Sequence, residues 1–317
     1  MSSPRGAVAP SGAGNGTRSW PDHLSPGRLV DVAPGVTRII APNPGMMTGP
    51  GTNTYLIGSR PLALIDPGPD DDAHLEALCV AVGDRLRWIL VTHTHVDHSP
   101  LSARLRERTG AEVIAFGRAP QFGHGPTGVD PHDVAFAPDR LLADGERLDA
   151  GDFAIDAVYT PGHASNHLCF ELAGTGLLFS GDHVMSGSTV VIAPLDGDMT
   201  VYLESLEKVK GLGAKRIAPG HGDIIEDPAA VLDEYLKHRL ERELQVLAGL
   251  RGAGSVGATA EALVGAIYEG VPAELHPVAR YSVWAHLRKL ASDGRAVSAD
   301  PDDVDAPWRP VEPIAAD

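Results

Sequence analysis

The chain reads as an α/β protein in which strands alternate with helices, a pattern that argues for two packed sheets between helical layers. A doubly wound single sheet is the alternative that periodicity leaves open. Three observations carry this. Short β-rich apolar runs alternate with helical stretches from Val30 to about Asp227. Gly-bounded turns close those runs at Pro67-Gly68, Pro161-Gly162, Gly181 and Pro219-Gly220. After Asp227 the strand signal gives way to helical periodicity, and 317 residues suffice for one large domain plus a small one.

Taken in order, residues 1–28 are rich in Pro, Gly, Ser and Ala and contain no core-forming run, so a disordered tail is expected. They lack the continuous apolar stretch of about 7–15 residues that a secretory signal needs. Despite Arg5 and Arg18 they also lack the amphipathic spacing of a transit peptide. Residues 29–227 are expected to form one domain, with strand-like runs at Trp88-Ile89-Leu90-Val91, Phe153 to Tyr159, Gly176 to Phe179 and Arg216 to Ala218. Helices are expected at Asp71 to Val82 and Ser99 to Thr109. Residues 228–317 then form a linking helix and a small module. Pro228 suits a first helical turn, and Leu232, Leu236, Leu240, Leu244 and Leu247 suggest an apolar stripe running to Leu250. A helix at Thr259 to Tyr268, a longer one near Pro277 to Ser292 and a hairpin-like tail from Asp293-Gly294-Arg295 outline a winged helix.

Composition sets limits on function. Hydrophobic residues make up 43% of the chain, yet no apolar stretch approaches the roughly 18 residues of a membrane span, so a cytoplasmic protein with no membrane partner is expected. Cys79 and Cys169 both sit in apolar segments and read as buried small hydrophobes. The chain carries 42 acidic against 26 basic residues, a net charge of −16, which disfavours polyanionic partners. Nothing in the sequence reads out an oligomeric state.

Chemistry is concentrated at Thr92 to His98, THTHVDH, directly behind the Trp88 to Val91 run. Imidazole nitrogen and carboxylate oxygen are zinc ligands, and a hydrolytic zinc keeps one position open for water. On an extended stretch alternate side chains share a face, so His93 and His95 can reach one ion, while Asp97 and His98, past the turn, aim at another. A chance His-rich loop is the bland alternative. Against it stand three further turns, each offering one ligand at a strand end: Thr160-Pro161-Gly162-His163, Ser180-Gly181-Asp182 and Pro219-Gly220-His221-Gly222. Seven such residues are what a two-metal hydrolase needs.

With these motifs the sequence resembles the metallo-β-lactamase-fold hydrolases, whose HxHxDH signature stands here as His93, His95, Asp97 and His98. The resemblance implies an αββα sandwich with metals along one edge. It implies His93, His95 and His163 on a first metal, Asp97, His98 and His221 on a second, and Asp182 bridging both. Two Zn2+ ions are the expected cofactors, with iron or manganese also suited to a His/Asp site. The runs Pro42 to Gly45, Gly51 to Leu56 and Leu64 to Gly68, with His238-Arg239, are similar to a branch containing a mitochondrial beta-lactamase-like endoribonuclease and polyketide-associated thioesterases. The likeness covers about residues 30 to 300. Ser99-Pro100 departs from the branch where a Gly-rich turn is common, and Ser165-Asn166 where Asp-type residues are common.

The resemblance further implies activated-water hydrolysis without a serine or cysteine nucleophile, with Asp97 as the catalytic residue that orients or deprotonates the water. Asp66 resembles a carboxylate that orients a ligand imidazole, although a turn-initiating Asp before Pro-Gly explains it equally. His183 is a candidate acid or a neighbour of the site, and Asn53 and Tyr55 have strand or pocket roles. The expected substrate is a small ester, thioester or lactone-like molecule. A single-strand endoribonuclease is the alternative, and a β-lactamase ranks below both. A metal-binding regulatory module would need a ligand lost, and all seven are present. In the winged helix, Arg280, Arg288 and Lys289 could meet phosphates. However, residues 229–317 hold nine Lys or Arg against fourteen Asp or Glu, so packing or substrate gating is the expected role.

Overall fold

The computed structural model describes residues 20–118, 131–268 and 273–311. One sheet joins β1 (Val30–Ala33), β2 (Val36–Ile40), β3 (Asn53–Gly58), β4 (Leu62–Ile65), β5 (Leu86–Leu90), β6 (Glu112–Ala115) and β7 (Arg140–Leu141) in chain order. The other joins β8 (Arg147–Asp149), β9 (Ala154–Tyr159), β10 (Leu168–Leu172), β11 (Leu177–Gly181) and β12 (Arg216–Pro219), also as sequential neighbours. Two pairs of adjacent strands that lead into site motifs run parallel, β4 with β5 and β11 with β12. Parallel strands present their C-terminal ends at the same edge of the sheet, which collects the loops that follow them.

The period of two explains why these segments are apolar throughout. Tyr55, Ile57, Ile65, Trp88, Leu90 and Ile114 pack against Ile155, Phe170, Phe179 and Ala218 between the sheets. The alternate residues Leu56, Leu64, Ile89, Val91 and Val113 turn outward onto α1 (Asp72–Val82) and α2 (Leu101–Thr109). On the far side, Val158, Leu178 and Ile217 meet α3 (Met199–Leu212) and α4 (Pro228–Gly252). The layers are therefore α, β, β, α, which excludes the single doubly wound sheet. Each fully buried Leu, Ile or Phe contributes about 1.5–3 kcal/mol.

Local signals set the helix ends. The side chain of Asp71 accepts from His74 N–H at 2.7 Å and caps α1, while Pro100 opens α2. Helix α3 (Met199–Leu212) lies outside the helices that the sequence predicts. Its cap is Asp198, and Met199, Tyr202, Leu206 and Val209 supply a buried face at helical spacing.

Two expectations need correction. Residues 20–28 are not a disordered tail: Asp22–Leu24 form a 3-10 turn, Leu24 is buried, and His23 pairs with Asp223 at 2.8 Å. Residues 1–19 lie outside the described residues. In α4, Leu240 and Leu244 are exposed, and the buried line runs through Leu232, Tyr235, Arg239, Glu243, Val246, Leu247 and Leu250. A spacing of four overshoots a 3.6-residue turn by about 40° at every step, so the i+4 row rotates off the packed face.

The remaining elements are α5 (Ala260–Ile267), α6 (His276–Ser292) and the hairpin of β13 (Ala296–Ser298) with β14 (Trp308–Pro310). They share a core of Leu263, Val264, Val283, Trp284, Leu287, Leu290 and Trp308 with the C-terminal part of α4, in the outline of a winged helix. Of its candidate phosphate contacts, Arg280 pairs with Asp305, Arg288 with Asp302, and Lys289 with Glu243 and Asp293. No helix among the described residues is long and apolar enough to cross a membrane.

Candidate metal centre

All seven candidate ligands lie on loops at one edge of the sandwich. His93, His95, Asp97 and His98 follow β5, His163 follows β9, Asp182 follows β11 and His221 follows β12. They fall into two groups, His93 with His95 and His163, and Asp97 with His98, Asp182 and His221. Each group draws ligands from both sheets.

In the first group His95 Nδ1 lies 2.9 Å from His93 Nε2 and 3.1 Å from His163 Nε2. In the second, His221 Nε2 lies 3.3 Å from His98 Nε2, 3.1 Å from an Asp97 oxygen and 3.4 Å from Asp182 Oδ2. A tetrahedron with zinc–nitrogen bonds near 2.0–2.1 Å has edges of about 3.3–3.4 Å, close to these separations. Asp182 reaches both groups, with Oδ2 also 3.9 Å from His163 Nε2 and Oδ1 3.4 Å from His98 Nε2. Asp182 Oδ1 is buried without a hydrogen-bond partner. Donor type, spacing and this orphaned oxygen all fit divalent metal ions.

Small residues keep the space open. A Cβ on Gly220 would lie 2.5 Å from Asp182 Oδ1 and 2.8 Å from His98 Cε1, so the Pro219-Gly220-His221 turn admits no side chain there. Asn53 Nδ2 and the Tyr55 hydroxyl both donate to Pro219 O at 2.8 Å. These two residues fasten that turn to the opposite sheet instead of lining a pocket.

Asp66 adopts a left-handed conformation (φ 53°), which Asp tolerates better than most residues. Its buried carboxylate accepts from Thr92 N–H, Thr92 Oγ1 and His98 Nδ1, each at 2.8 Å. The bond from His98 Nδ1 leaves Nε2 as the atom that faces Asp182 and His221. In the first group, His163 Nδ1 donates to the Val191 carbonyl at 2.9 Å with the same effect.

The electrostatics of the two halves differ. Burial, reinforced by neighbouring imidazoles, holds His93 and His95 well below the usual histidine range, and burial also lowers His163. All three are therefore neutral, the form that binds metal. In the second half burial opposes charge, but the carboxylates of Asp97, Asp182 and Asp66 hold His98 well above its normal value. Against the same burial penalty, Asp182 and Asp97 raise His221 to about 10. The carboxylates of Asp97 and Asp182 demand positive charge here, and a divalent ion would meet that demand while displacing the imidazole protons.

Other residues at the site carried no sequence signal. His132 packs beside His95 (ring centroids 4.8 Å apart) and lies 3.5 Å from Asp196. No spacing rule connects His132, about 40 residues downstream, to the THTHVDH run. At the two departures from the branch pattern, the buried Ser99 hydroxyl donates to Asp133 and Asn166 Nδ2 donates to Thr94 Oγ1 at 3.0 Å. Burial pushes His183 down to about 3, so it is neutral behind Asp182 and is no acid at pH 7.

Comparison with known proteins agrees with this geometry. The family described as "Metallo-beta-lactamase superfamily" matches residues 47–221, and a beta-lactamase associated winged helix domain matches residues 259–308. A beta-lactamase-like protein 2 homolog from Drosophila melanogaster is 34% identical over 82% of this chain and 89% of its own. An atrochrysone carboxyl ACP thioesterase from Aspergillus fumigatus is 31% identical over 78% of each. The crystal structure of a beta-lactamase domain protein from Burkholderia ambifaria superposes with a TM-score of 0.75 at 21% identity, covering 93% of this chain and 96% of that one. At that identity the likeness concerns the fold.

Proposed function

The chain belongs to the metallo-beta-lactamase superfamily and is a metal-dependent hydrolase, and from this we propose a dinuclear zinc enzyme acting on a small ester, thioester or lactone-like substrate. The observation that carries the dinuclear reading is the pair of ligand groups meeting at Asp182. When bound, two zinc ions supply Lewis acidity and lower the pKa of water toward neutrality. The chain's own residues do the rest. In this reading Asp97, at 24% the more exposed of the second group's two carboxylates, orients the attacking water and takes its proton. Asp66 and Val191 fix the tautomers of His98 and His163, and the loops from the two sheets hold the reacting groups in register.

Two observations favour a small substrate over RNA. The chain has a net charge of −16, and the winged helix's Arg280, Arg288 and Lys289 are each committed to carboxylates. The thioesterase named among the relatives supports an acyl substrate. The test is metal analysis followed by a substrate panel. The purified protein should hold about two transition-metal equivalents and turn over an acyl thioester or a lactone. Fewer than one equivalent in an intact preparation removes the dinuclear reading. Turnover of single-stranded RNA alone, or of a lactam alone, replaces the proposed substrate class.

A further inference from the structure

We infer that Arg239 of α4, the first element of the C-terminal region, is a positioning residue for the metal centre, acting through the Val190–Val191 peptide on His163. The inference rests on the dinuclear reading above. Residues 183–192 follow Asp182 and have neither helix nor strand of their own, so their position is set by what they bind. His163 also sits in an irregular turn, and its Nδ1–H is held by the Val191 carbonyl at 2.9 Å. The preceding carbonyl, Val190 O, accepts from Arg239 Nη2. One short irregular segment thus offers one carbonyl to the candidate ligand and the preceding one to a buried guanidinium.

The surroundings make Arg239 a deliberate anchor. It is only 3% exposed, and its guanidinium lies 5.4 Å from the Tyr202 ring. The Tyr202 hydroxyl donates to His183 O at 2.8 Å, immediately after Asp182. One turn earlier on α4, the Tyr235 hydroxyl accepts from Met185 N–H at 2.9 Å and lies against the Met185 and Ser188 carbonyls. Helix α4 therefore grips the segment between Asp182 and the backing of His163 at two places. A charged donor on a carbonyl gives a stronger and more directional hold than a neutral one. Among its described residues the C-terminal region contributes no candidate ligand, yet through this contact it sets the tautomer and aim of one.

The test uses the full-length protein with Zn2+ or Co2+ as the probe. Stepwise metal affinity is measured by competition with a chromophoric chelator, and the Co2+ absorption spectrum reports the ligand field of each equivalent. Arg239→Met should weaken one of the two equivalents by about 10–100-fold and perturb its spectrum, leaving the other unchanged. Arg242→Met is the control: its guanidinium engages Gln245, the Ile267 carbonyl and the Tyr268 ring, and it should bind both equivalents like the parent. Far-UV circular dichroism establishes that each variant is folded. If Arg239→Met does not fold, Arg239→Lys, which keeps the charge near Tyr202 but not the planar fork, should show a smaller loss in the same equivalent. A folded Arg239 variant with parental affinity for both equivalents overturns the inference, as does equal weakening in the Arg239 and Arg242 variants. A parent protein that takes up no metal would instead sink the dinuclear reading itself.

Discussion

Replacing Asp66 by Asn changes one atom's chemistry while leaving the backbone conformation tolerable, because Asn accepts a left-handed φ as readily as Asp. The native carboxylate receives three hydrogen bonds, from Thr92 N–H, Thr92 Oγ1 and His98 Nδ1. An amide has a single acceptor oxygen. If that oxygen serves Thr92 N–H, which can only donate, the amide NH2 must face Thr92 Oγ1 and His98 Nδ1. The hydroxyl can rotate to accept. The imidazole can accept only by moving its proton to Nε2, the atom that faces Asp182 and His221. Turning the amide over instead sets NH2 against a backbone N–H, at about 1–3 kcal/mol for the stranded buried donor.

Either arrangement weakens the His98 group directly; the first group meets this network only where Thr92 Oγ1 lies 3.0 Å from His93 Nδ1, so its loss should be the smaller. The expected loss is about 10–100-fold in affinity for one metal equivalent, or about 1.4–2.8 kcal/mol. Chelator competition with stepwise titration reads this directly, and hydrolysis should fall in parallel. Asp66→Asn with two equivalents of parental affinity would refute the tautomer argument and return Asp66 to a turn-forming role.

Asp182→Asn should abolish hydrolysis and cost at least one metal equivalent while the far-UV spectrum stays native; retained turnover would refute the bridge. Burial lowers His74 from 6.5 to about 4, so below pH 6.5 the unfolded chain takes up a proton that the folded chain refuses. The His74 contribution to stability should be full above pH 6.5 and fall by roughly 3 kcal/mol on descending to pH 4, read as the difference between the parent and His74→Gln urea-unfolding profiles. On α4, Leu250→Ala should cost about 2–5 kcal/mol, while Leu244→Glu, at an exposed position, should stay within about 0.5 kcal/mol by thermal unfolding. Gly220→Ala should impair metal uptake because its Cβ would fall 2.5 Å from Asp182 Oδ1.

Much of the candidate site was legible because its ligands come in dense local motifs. His93 to His98 lie within six positions, and His163, Asp182 and His221 each end a strand in a Gly-bounded turn. The choice of His95 Nδ1 and His163 Nε2 as facing atoms was not legible, since it depends on partners such as Val191, 28 residues from His163. Asp66 stood between two roles until Thr92 and His98 were seen on its carboxylate. His132 and Asp196 are brought to the site by tertiary packing, with no local pattern to announce them. Among the elements, α3 escaped because its buried face is interleaved with Ser205, Lys208 and Lys210, which dilute the apolar signal. In α4 helical phase outweighs leucine identity: Arg239 and Glu243 are buried where Leu240 and Leu244 are not.

Each ligand group takes residues from both sheets, with His93 and His95 opposite His163, and Asp97 and His98 opposite Asp182 and His221. An ion held by such a group is a cross-link, joining positions as far apart in the chain as His98 and His221 and restricting the unfolded chain as a covalent bridge does. Chelators should therefore act on this protein as denaturants as well as inhibitors. Its melting temperature should rise with free metal by the mass-action rule for any ligand that favours the native state. Loss of activity on metal removal then combines two events, the loss of a reagent and the loosening of the seam between the sheets.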